Sequence, residues 1–133
     1  MRVSKMRKAK YLFLMILAIL LSGLLLACSA GPESTVIDFY NALEEGDGEA
    51  ALEYVSEDMR KIHRLQVEFM ALVFEELNDE GESYWEIKGS EYEQGTAKVE
   101  VVDNVVGFGD DRSFYISLIE EEGQWLIQDL WHD

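Results

Sequence analysis

The amino-acid sequence predicts an α+β fold in which N-terminal helices pack on a four-stranded antiparallel sheet. Apolar residues recur at helical spacing between residues 32 and 77, whereas apolar and polar residues alternate from residue 84 onward. Two short turn sequences also divide the second half of the chain into hairpins. Helices that precede hairpin-linked strands are typical of the α+β class, and about 100 residues suffice for one domain with a single core.

The first 28 residues have the pattern of a secretory signal. Five basic residues precede an apolar run at residues 11–27, YLFLMILAILLSGLLLA, and the only cysteine, Cys28, follows it. A basic segment before an apolar one is typical of a signal peptide, whose basic end stays in the cytoplasm. With Ala27 before Cys28, the segment resembles the signal peptide and lipobox of bacterial lipoproteins. The resemblance implies cleavage between Ala27 and Cys28 and attachment of lipid to the Cys28 thiol.

Three segments are therefore predicted: a signal peptide at residues 1–27, a lipidated cysteine with a short tether at 28–35, and a folded domain at 36–133. The alternative is an uncleaved membrane anchor, because the apolar run is at the short limit for a membrane-spanning helix. Both interpretations place the domain outside the cytoplasm. A lipid would hold it at the outer membrane of a Gram-negative cell or on the outer face of a Gram-positive cell membrane.

The part of the chain from Cys28 onward is strongly acidic. Five of the eleven Lys and Arg residues precede Cys28, so this part carries six basic against 27 acidic residues, a formal charge of −21. A surface of this sign repels nucleic acid and anionic lipid headgroups, so we expect no nucleic-acid partner. The acidic residues are spread along the chain and not clustered at the spacing of calcium ligands. This distribution favours a solvated surface over a metal site.

The first helix of the domain is predicted from its start signals and its apolar face. Pro32 suits the first helical position, and Thr35 with Asp38 has the spacing of a capping box for a helix that runs to about residue 45. At 100° per residue, one face of this helix is apolar. That face holds Val36, Phe39, Tyr40 and Leu43.

Two further helices follow. Gly46 can end the first helix in a left-handed conformation, Asp47 can cap a short second helix, and Ser56 begins a third that extends to about Leu77. The third helix has a narrow polar side, formed by Arg60, Lys61, Arg64, Glu68 and Glu75. Its apolar surface covers more than half of the circumference, which is wider than one sheet covers. We therefore expect this helix to be buried on two sides or to bury one side against a partner.

Four strands are predicted in the second half, at residues 84–92, 96–105, 113–121 and 124–130. Gln94-Gly95 and Glu122-Gly123 have the composition of hairpin turns. In the second strand, Ala97, Val99 and Val101 alternate with charged residues. This alternation is typical of an antiparallel sheet with one covered face.

The order of elements and three local sequences resemble a known superfamily. They are PESTVIDFYNALEEGDGEAALEYVSEDM at residues 32–59, the strand at Gly95–Val102, and EEGQWLIQDL at residues 121–130. Together they resemble small lipoproteins of the nuclear transport factor 2-like superfamily, in particular uncharacterised domains related to lumazine-binding-like proteins. The resemblance implies a curved sheet wrapped around a helix, the cystatin-like cone, whose open end often holds a pocket. The superfamily includes isomerases and dehydratases as well as members without catalytic activity, so the fold alone assigns no activity.

Three side chains are candidates for acid–base chemistry. His63 lies within the apolar arc of the third helix, Asp103 is in phase with the inward residues of the second strand, and Asp129 with those of the last. If they converge in an apolar cone, a histidine and a carboxylate of raised pKa could transfer a proton. The alternative is that both carboxylates lie at strand ends open to water and that His63 only packs. His132, next to the C-terminus, is expected to fray.

A set of aromatic side chains could line a ligand pocket, although aromatic residues at such spacing also form ordinary cores. They are Tyr40, Tyr54, Phe69, Trp85, Phe114 and Trp125. No zinc, phosphate-loop or haem pattern is present in the sequence, so no cofactor is predicted.

Two functional hypotheses follow. The first is a lipid-anchored cell-envelope protein with a non-catalytic domain, whose partner is a small hydrophobic ligand, an envelope protein or a second copy of the chain. The second is a small isomerase or dehydratase that acts on a hydrophobic molecule in the cone.

Overall fold

The computed structural model describes residues 14–16 and 31–133, and the chain divides into two units, Met1–Ala30 and Gly31–Asp133. In the first unit, residues 14–16 are helical. Most of the predicted signal peptide, the cleavage site, Cys28 and residues 29–30 of the tether lie outside the described residues. The prediction that the tether extends to residue 35 is wrong, because residues 32–35 belong to the first helix of the domain. Among the helices that the structure describes, none combines the length and the apolar character needed to cross a membrane.

The second unit begins with three helices: α1 at Pro32–Glu44, α2 at Gly48–Leu52 and α3 at Glu57–Asp79. Pro32 occupies the first turn of α1, as predicted, and Gly31 is the N-cap residue. The predicted capping box at Thr35 is wrong, because α1 already begins at Pro32, whose fixed φ favours the first helical position. Thr35 instead lies inside the helix, and its hydroxyl donates to the carbonyl of Trp125 at 3.3 Å.

The turns between the helices follow the sequence signals. Gly46 adopts a φ of 73° just after α1, a conformation that favours glycine. Asp47 caps α2, since its carboxylate accepts a hydrogen bond from the backbone N–H of Ala50 at 3.0 Å. Ser56 is the N-cap residue of α3 without a side-chain hydrogen bond.

Four antiparallel strands follow in sequential order: β1 at Trp85–Glu93, β2 at Thr96–Asp103, β3 at Arg112–Glu121 and β4 at Gln124–His132. The first and third connections are the predicted tight hairpins. Register shifts at Ile87–Gly89 in β1 and opposite Ser117 in β4 introduce irregularities of the kind that bend a sheet. The expectation that His132 frays is wrong, because it pairs with Tyr115 at the end of β4.

The core lies between α1 and the inner face of the sheet. Helix α1 packs against β1, β2 and β4 on one side and against α2 and α3 on the other. Its side chains Val36, Phe39 and Leu43 are fully buried. The sheet contributes inward residues from three strands: Val99, Val101, Phe114, Ile116, Leu118, Ile127 and Leu130. Helix α1 is therefore the central element of the domain.

Neighbouring valines on β2 provide a matched test of this core. Val101 is fully buried, whereas Val102 points to the other face and is half-buried. Val101→Ala should lower the free energy of unfolding by about 2–3 kcal/mol, because apolar burial is lost and a cavity remains. Val102→Ala should cost about 1 kcal/mol or less. Urea unfolding of both variants measures the difference, and equal costs would contradict the assigned strand faces.

Candidate functional site

The interior where a cone pocket was expected is filled by aromatic side chains. The Tyr40 ring stacks on Trp85 with a centroid distance of 4.6 Å and meets the edge of Phe74 at 5.7 Å. Phe39 contacts both Tyr40 and Trp131, with centroids 5.9 and 6.0 Å apart. These rings come from α1, α3, β1 and β4, so the space between the helices and the sheet is packed.

A hydrogen-bonded network crosses this aromatic cluster. Tyr40 and Asp103 are both fully buried, and the Tyr40 hydroxyl donates to Oδ2 of Asp103 at 2.7 Å. The indole N–H of Trp131 donates to the Tyr40 oxygen at 2.9 Å. The other carboxylate oxygen of Asp103, Oδ1, accepts from the backbone N–H groups of Val105 and Val106 at 2.8 and 3.1 Å. We call these residues the Asp103 network.

Burial controls the protonation of both groups in this network. It raises the pKa of the Asp103 carboxyl above its ordinary value, and the hydrogen bonds from Tyr40, Val106 and Val105 oppose that rise. Burial also raises the pKa of Tyr40 well above that of a free tyrosine, and the charge of Asp103 raises it further. The Tyr40 hydroxyl therefore stays protonated and serves as a donor.

The polar atoms of the network already have partners within the protein. Among the described residues, every buried side-chain nitrogen or oxygen has a hydrogen-bond partner. Because Tyr40 and Asp103 have no exposed surface, their groups are not open to a substrate. The network instead joins α1, β4 and the start of the loop after β2, and it fixes where that loop begins.

The loop between β2 and β3, residues 104–111, is fixed by hydrogen bonds to the segment before β1 and by hydrogen bonds within itself. Asn104 accepts from the Tyr84 N–H at 2.8 Å through its side-chain oxygen and donates to the Glu82 carbonyl at 2.8 Å. Within the loop, the N–H of Gly109 donates to the Asn104 carbonyl at 2.8 Å. A Cβ on Gly107 would lie 2.2 Å from the Asp110 carbonyl oxygen, so only glycine fits there.

This loop carries Phe108 at its tip. The Phe108 side chain is 94% exposed, and its backbone φ is 53°. Beside it lies an open groove of about 380 Å³, whose walls come from the C-terminal end of α3 and from the loop. The groove is lined by Val73, Leu77, Glu82, Asn104, Val105, Phe108 and Gly109. We call it the Phe108 groove.

The left-handed conformation of Phe108, like that of the other left-handed residues, belongs to a local backbone feature. Among the described residues, three other than glycine have positive φ: Phe108, Glu122 and Trp131. Glu122 lies in a tight hairpin that requires this conformation. Trp131 lies in the irregular part of β4, and its indole is held by Tyr40. At Phe108 the N–H donates to the Val105 carbonyl at 3.2 Å, and the next N–H, that of Gly109, donates to the Asn104 carbonyl, a pair of bonds that places a left-handed residue at the end of a helical turn. What this turn does not explain is the exposure of the Phe108 ring, which is 94% accessible to solvent.

The structure does not bring the three acid–base candidates together. Asp103 is fully buried and bonded to Tyr40, so the expectation that water reaches it is wrong. Asp129 is exposed and accepts from the N–H of Leu130. The Nδ1 atom of His63 lies 2.9 Å from the side-chain oxygen of Gln66 on α3. Among the described residues, no hydrogen bond links His63, Asp103 and Asp129.

The six pocket candidates are also dispersed. Tyr40 and Trp85 stack on each other inside the core, and Phe114 is buried in the sheet. Trp125 is half-buried and meets the edge of Tyr92. Phe69 is 64% exposed on α3, and Tyr54 is half-buried after α2. These aromatic residues do not form one cavity.

The comparison with known families gives one assignment. Residues 26–128 match the family described as a domain of unknown function, DUF4878. The chain belongs to the DUF4878 family. No curated protein matches the sequence.

Two solved structures resemble this DUF4878 domain. One, described as an NTF2-like transpeptidase from Campylobacter jejuni, is 16% identical, covers 74% of this chain and 98% of that chain, and has a TM-score of 0.56. The other is a SEC-C motif containing protein from Rhodopseudomonas palustris, which is 19% identical. The match covers 76% of this chain and 77% of that chain, with a TM-score of 0.51. At these identities the likeness shows the fold alone. The predicted NTF2-like α+β fold is confirmed, whereas the lumazine-binding-like grouping and lipidation stay predictions.

Sequence reasoning missed the Phe108 groove of this DUF4878 domain. The available signal was an aromatic residue between two glycines, Gly107 and Gly109, directly after a predicted strand. A Gly-aromatic-Gly sequence in a loop indicates a tight turn that displays the aromatic ring. Within the described residues, no group of His, Cys, Asp and Glu side chains could hold a metal ion.

The raised pKa of Asp103 predicts a pH dependence that one substitution isolates. In the unfolded chain the Asp103 carboxyl loses its proton near pH 3.9, whereas in the folded protein the raised pKa keeps the proton bound until a higher pH. The window lies between these two pKa values. The folded protein therefore binds more protons there, and its stability falls as pH rises. Asp103→Asn removes this titration while the surface carboxylates remain. Urea unfolding across this window should show the wild type losing stability relative to Asp103→Asn, and a constant difference would contradict the burial argument.

Proposed function

We propose that the chain is a lipid-anchored protein of the cell envelope whose domain holds an apolar side chain of a partner protein in the Phe108 groove, without catalysis. The observation that carries this proposal is the almost fully exposed Phe108 ring beside a largely apolar groove. Exposed aromatic side chains next to pockets are the usual anchors of protein interfaces.

The loop has the rigidity that binding favours. Gly107, Asn104 and the Asp103 network hold its backbone, so Phe108 is displayed in one conformation before a partner arrives. A surface that is ordered in advance loses less entropy on binding. The side-chain amide of Asn104 is already paired within the protein, which leaves apolar contact as the main mode of recognition.

The groove volume of about 380 Å³ lies at the small end of the range for ligand pockets. It suits one or two apolar side chains of a partner, and a small hydrophobic ligand is the competing occupant. The net charge of −21 after Cys28 disfavours an anionic lipid surface as the bound partner.

The N-terminal pattern supports the proposed location. A lipid on Cys28 would leave three residues, 29–31, before α1 begins at Pro32, and such a tether spans at most about 10 Å. A partner would then have to be another envelope protein or the part of a membrane protein that lies close to the bilayer.

The enzymatic hypothesis finds no specific support in the positions of its candidates. An isomerase or dehydratase needs an acid–base pair that faces one cavity. His63, Asp103 and Asp129 have separate partners and different burial, so the interaction hypothesis accounts for more of the observed geometry.

Anchoring is tested by Cys28→Ser with Ser29→Ala as the matched control. Without the Cys28 thiol no lipid can attach, so the variant should accumulate as unprocessed precursor, whereas Ser29→Ala should mature normally. Whole-protein mass spectrometry of the membrane fraction measures both states. Continued maturation and acylation of the Cys28→Ser variant would refute the anchor.

Binding at the groove is tested by photo-crosslinking the full chain in its host. Benzoylphenylalanine at position 108 should give one discrete protein adduct, and the addition of Leu77→Asp, which places a charge in the groove, should remove it. The control position is Tyr92, which is also exposed but lies on β1, opposite Ala97 at the far end of β2 from the loop. Identical adducts from both positions, or none from position 108, would contradict the proposal.

A companion variant separates binding from folding. Phe108→Gly should keep the free energy of unfolding or raise it by up to about 1 kcal/mol, because glycine adopts positive φ without strain. If Phe108 were needed for packing, the same variant would unfold at lower urea concentration than the wild type.

A further inference from the structure

One face of α3 is apolar and uncovered. Ile62, Leu65, Phe69 and Leu72 are 70, 81, 64 and 64% exposed. The buried residues of the same helix, Val67, Ala71 and Phe74, lie on the opposite side at 100° per residue. Helix α3 thus contacts the domain through one stripe and presents a second stripe to solvent. We call this second stripe the α3 seam.

The α3 seam has the spacing of a helix-pairing interface. Its four residues follow one another at intervals of three, four and three, which is the a and d spacing of two heptads. The charged residues Asp58 and Glu76 continue the same line at its two ends, so the apolar part is bounded. A seam of this kind is complementary to another helix rather than to a flat surface.

The charges of α3 favour an antiparallel partner that is identical to it. The N-terminal half carries Arg60, Lys61 and Arg64 against Glu57 and Asp58, a net charge of +1. Arg60 donates to the carbonyls of Val55 and Glu53, and Arg64 pairs with Glu49 and Glu68. The C-terminal half carries only acidic charges: Glu68, Glu75, Glu76 and Asp79. Antiparallel pairing of two copies places the acidic C-terminal half of each beside the weakly basic N-terminal half of the other, whereas parallel pairing places the two acidic halves together.

We propose that the α3 seam binds the same seam of a second copy of this chain in antiparallel orientation. A two-fold axis near position 67 then pairs Ile62 of one copy with Leu72 of the second copy and Leu65 with Phe69 of the second copy. Such an isologous contact uses one patch twice and closes as a dimer.

The size of the seam fits a reversible dimer. The exposed parts of its four side chains amount to on the order of 500 Å² of apolar surface in each copy. This is near the largest apolar patch that monomers usually expose, and it is below the roughly 800 Å² per partner of a standard stable interface. The dimer should therefore exchange with monomer, and it does not depend on the Phe108 groove or on the lipid anchor.

Crosslinking of engineered cysteines in the purified full chain tests both pairing and direction. In the antiparallel dimer, position 66 lies beside position 66 of the second copy. The two copies of position 76 lie about 27 Å apart along the helices, at 1.5 Å per residue. A short bismaleimide should therefore link Gln66→Cys chains about tenfold or more faster than Glu76→Cys chains, since Cβ atoms must be close to be bridged. The unmodified chain measures any background from Cys28.

A further substitution shows whether the seam itself carries the contact. Leu65→Glu in the Gln66→Cys chain should abolish the crosslink, and its thermal unfolding should match that of the Gln66→Cys parent in dilute solution, because residue 65 is 81% exposed in the single chain. Faster linking at position 76 than at 66 would overturn the antiparallel arrangement. Slow linking at both positions, or linking at 66 that survives Leu65→Glu, would overturn the dimer through α3.

Discussion

The rest of the domain depends on the buried carboxylate of Asp103. It accepts three hydrogen bonds, one from Tyr40 on α1 and two from the backbone at Val105 and Val106. Through Tyr40 it also reaches Trp131 on β4. A buried carboxylate without these donors would be strongly unfavourable, so the helix, the last strand and the loop must adopt their observed positions together.

This constraint places the features available for function outside the cone. The aromatic rings around Tyr40 fill the interior that related folds can use as a pocket, and the Asp103 network closes it with polar contacts. The same carboxylate fixes the loop that displays Phe108. The accessible features include the Phe108 groove on the loop side and the α3 seam on the outer helix. The two proposed protein contacts rest on these two surfaces.

The sequence predicted much of the fold because its local signals were strong. Gly46 and Asp47 each indicated the conformation that they adopt, and alternation in β2 identified the inward valines. The breadth of the apolar surface on α3 was also evident, but periodicity alone did not tell which stripe faces the core. The Asp103 network could not be predicted, because Tyr40 and Asp103 are 63 positions apart. The inward position of Trp131 depends on an irregular strand that no local pattern indicates.

Backbone amide hydrogen exchange, followed residue by residue, tests the central role of Asp103 most directly. The account predicts that the N–H groups of Val105 and Val106 are protected as strongly as those in the middle of β2, because they donate to a buried carboxylate. In Tyr40→Phe, the protection of these two amides should fall more than that of the sheet. Rapid exchange of both amides in the wild type would contradict the account, since it would show that the carboxylate does not hold the loop.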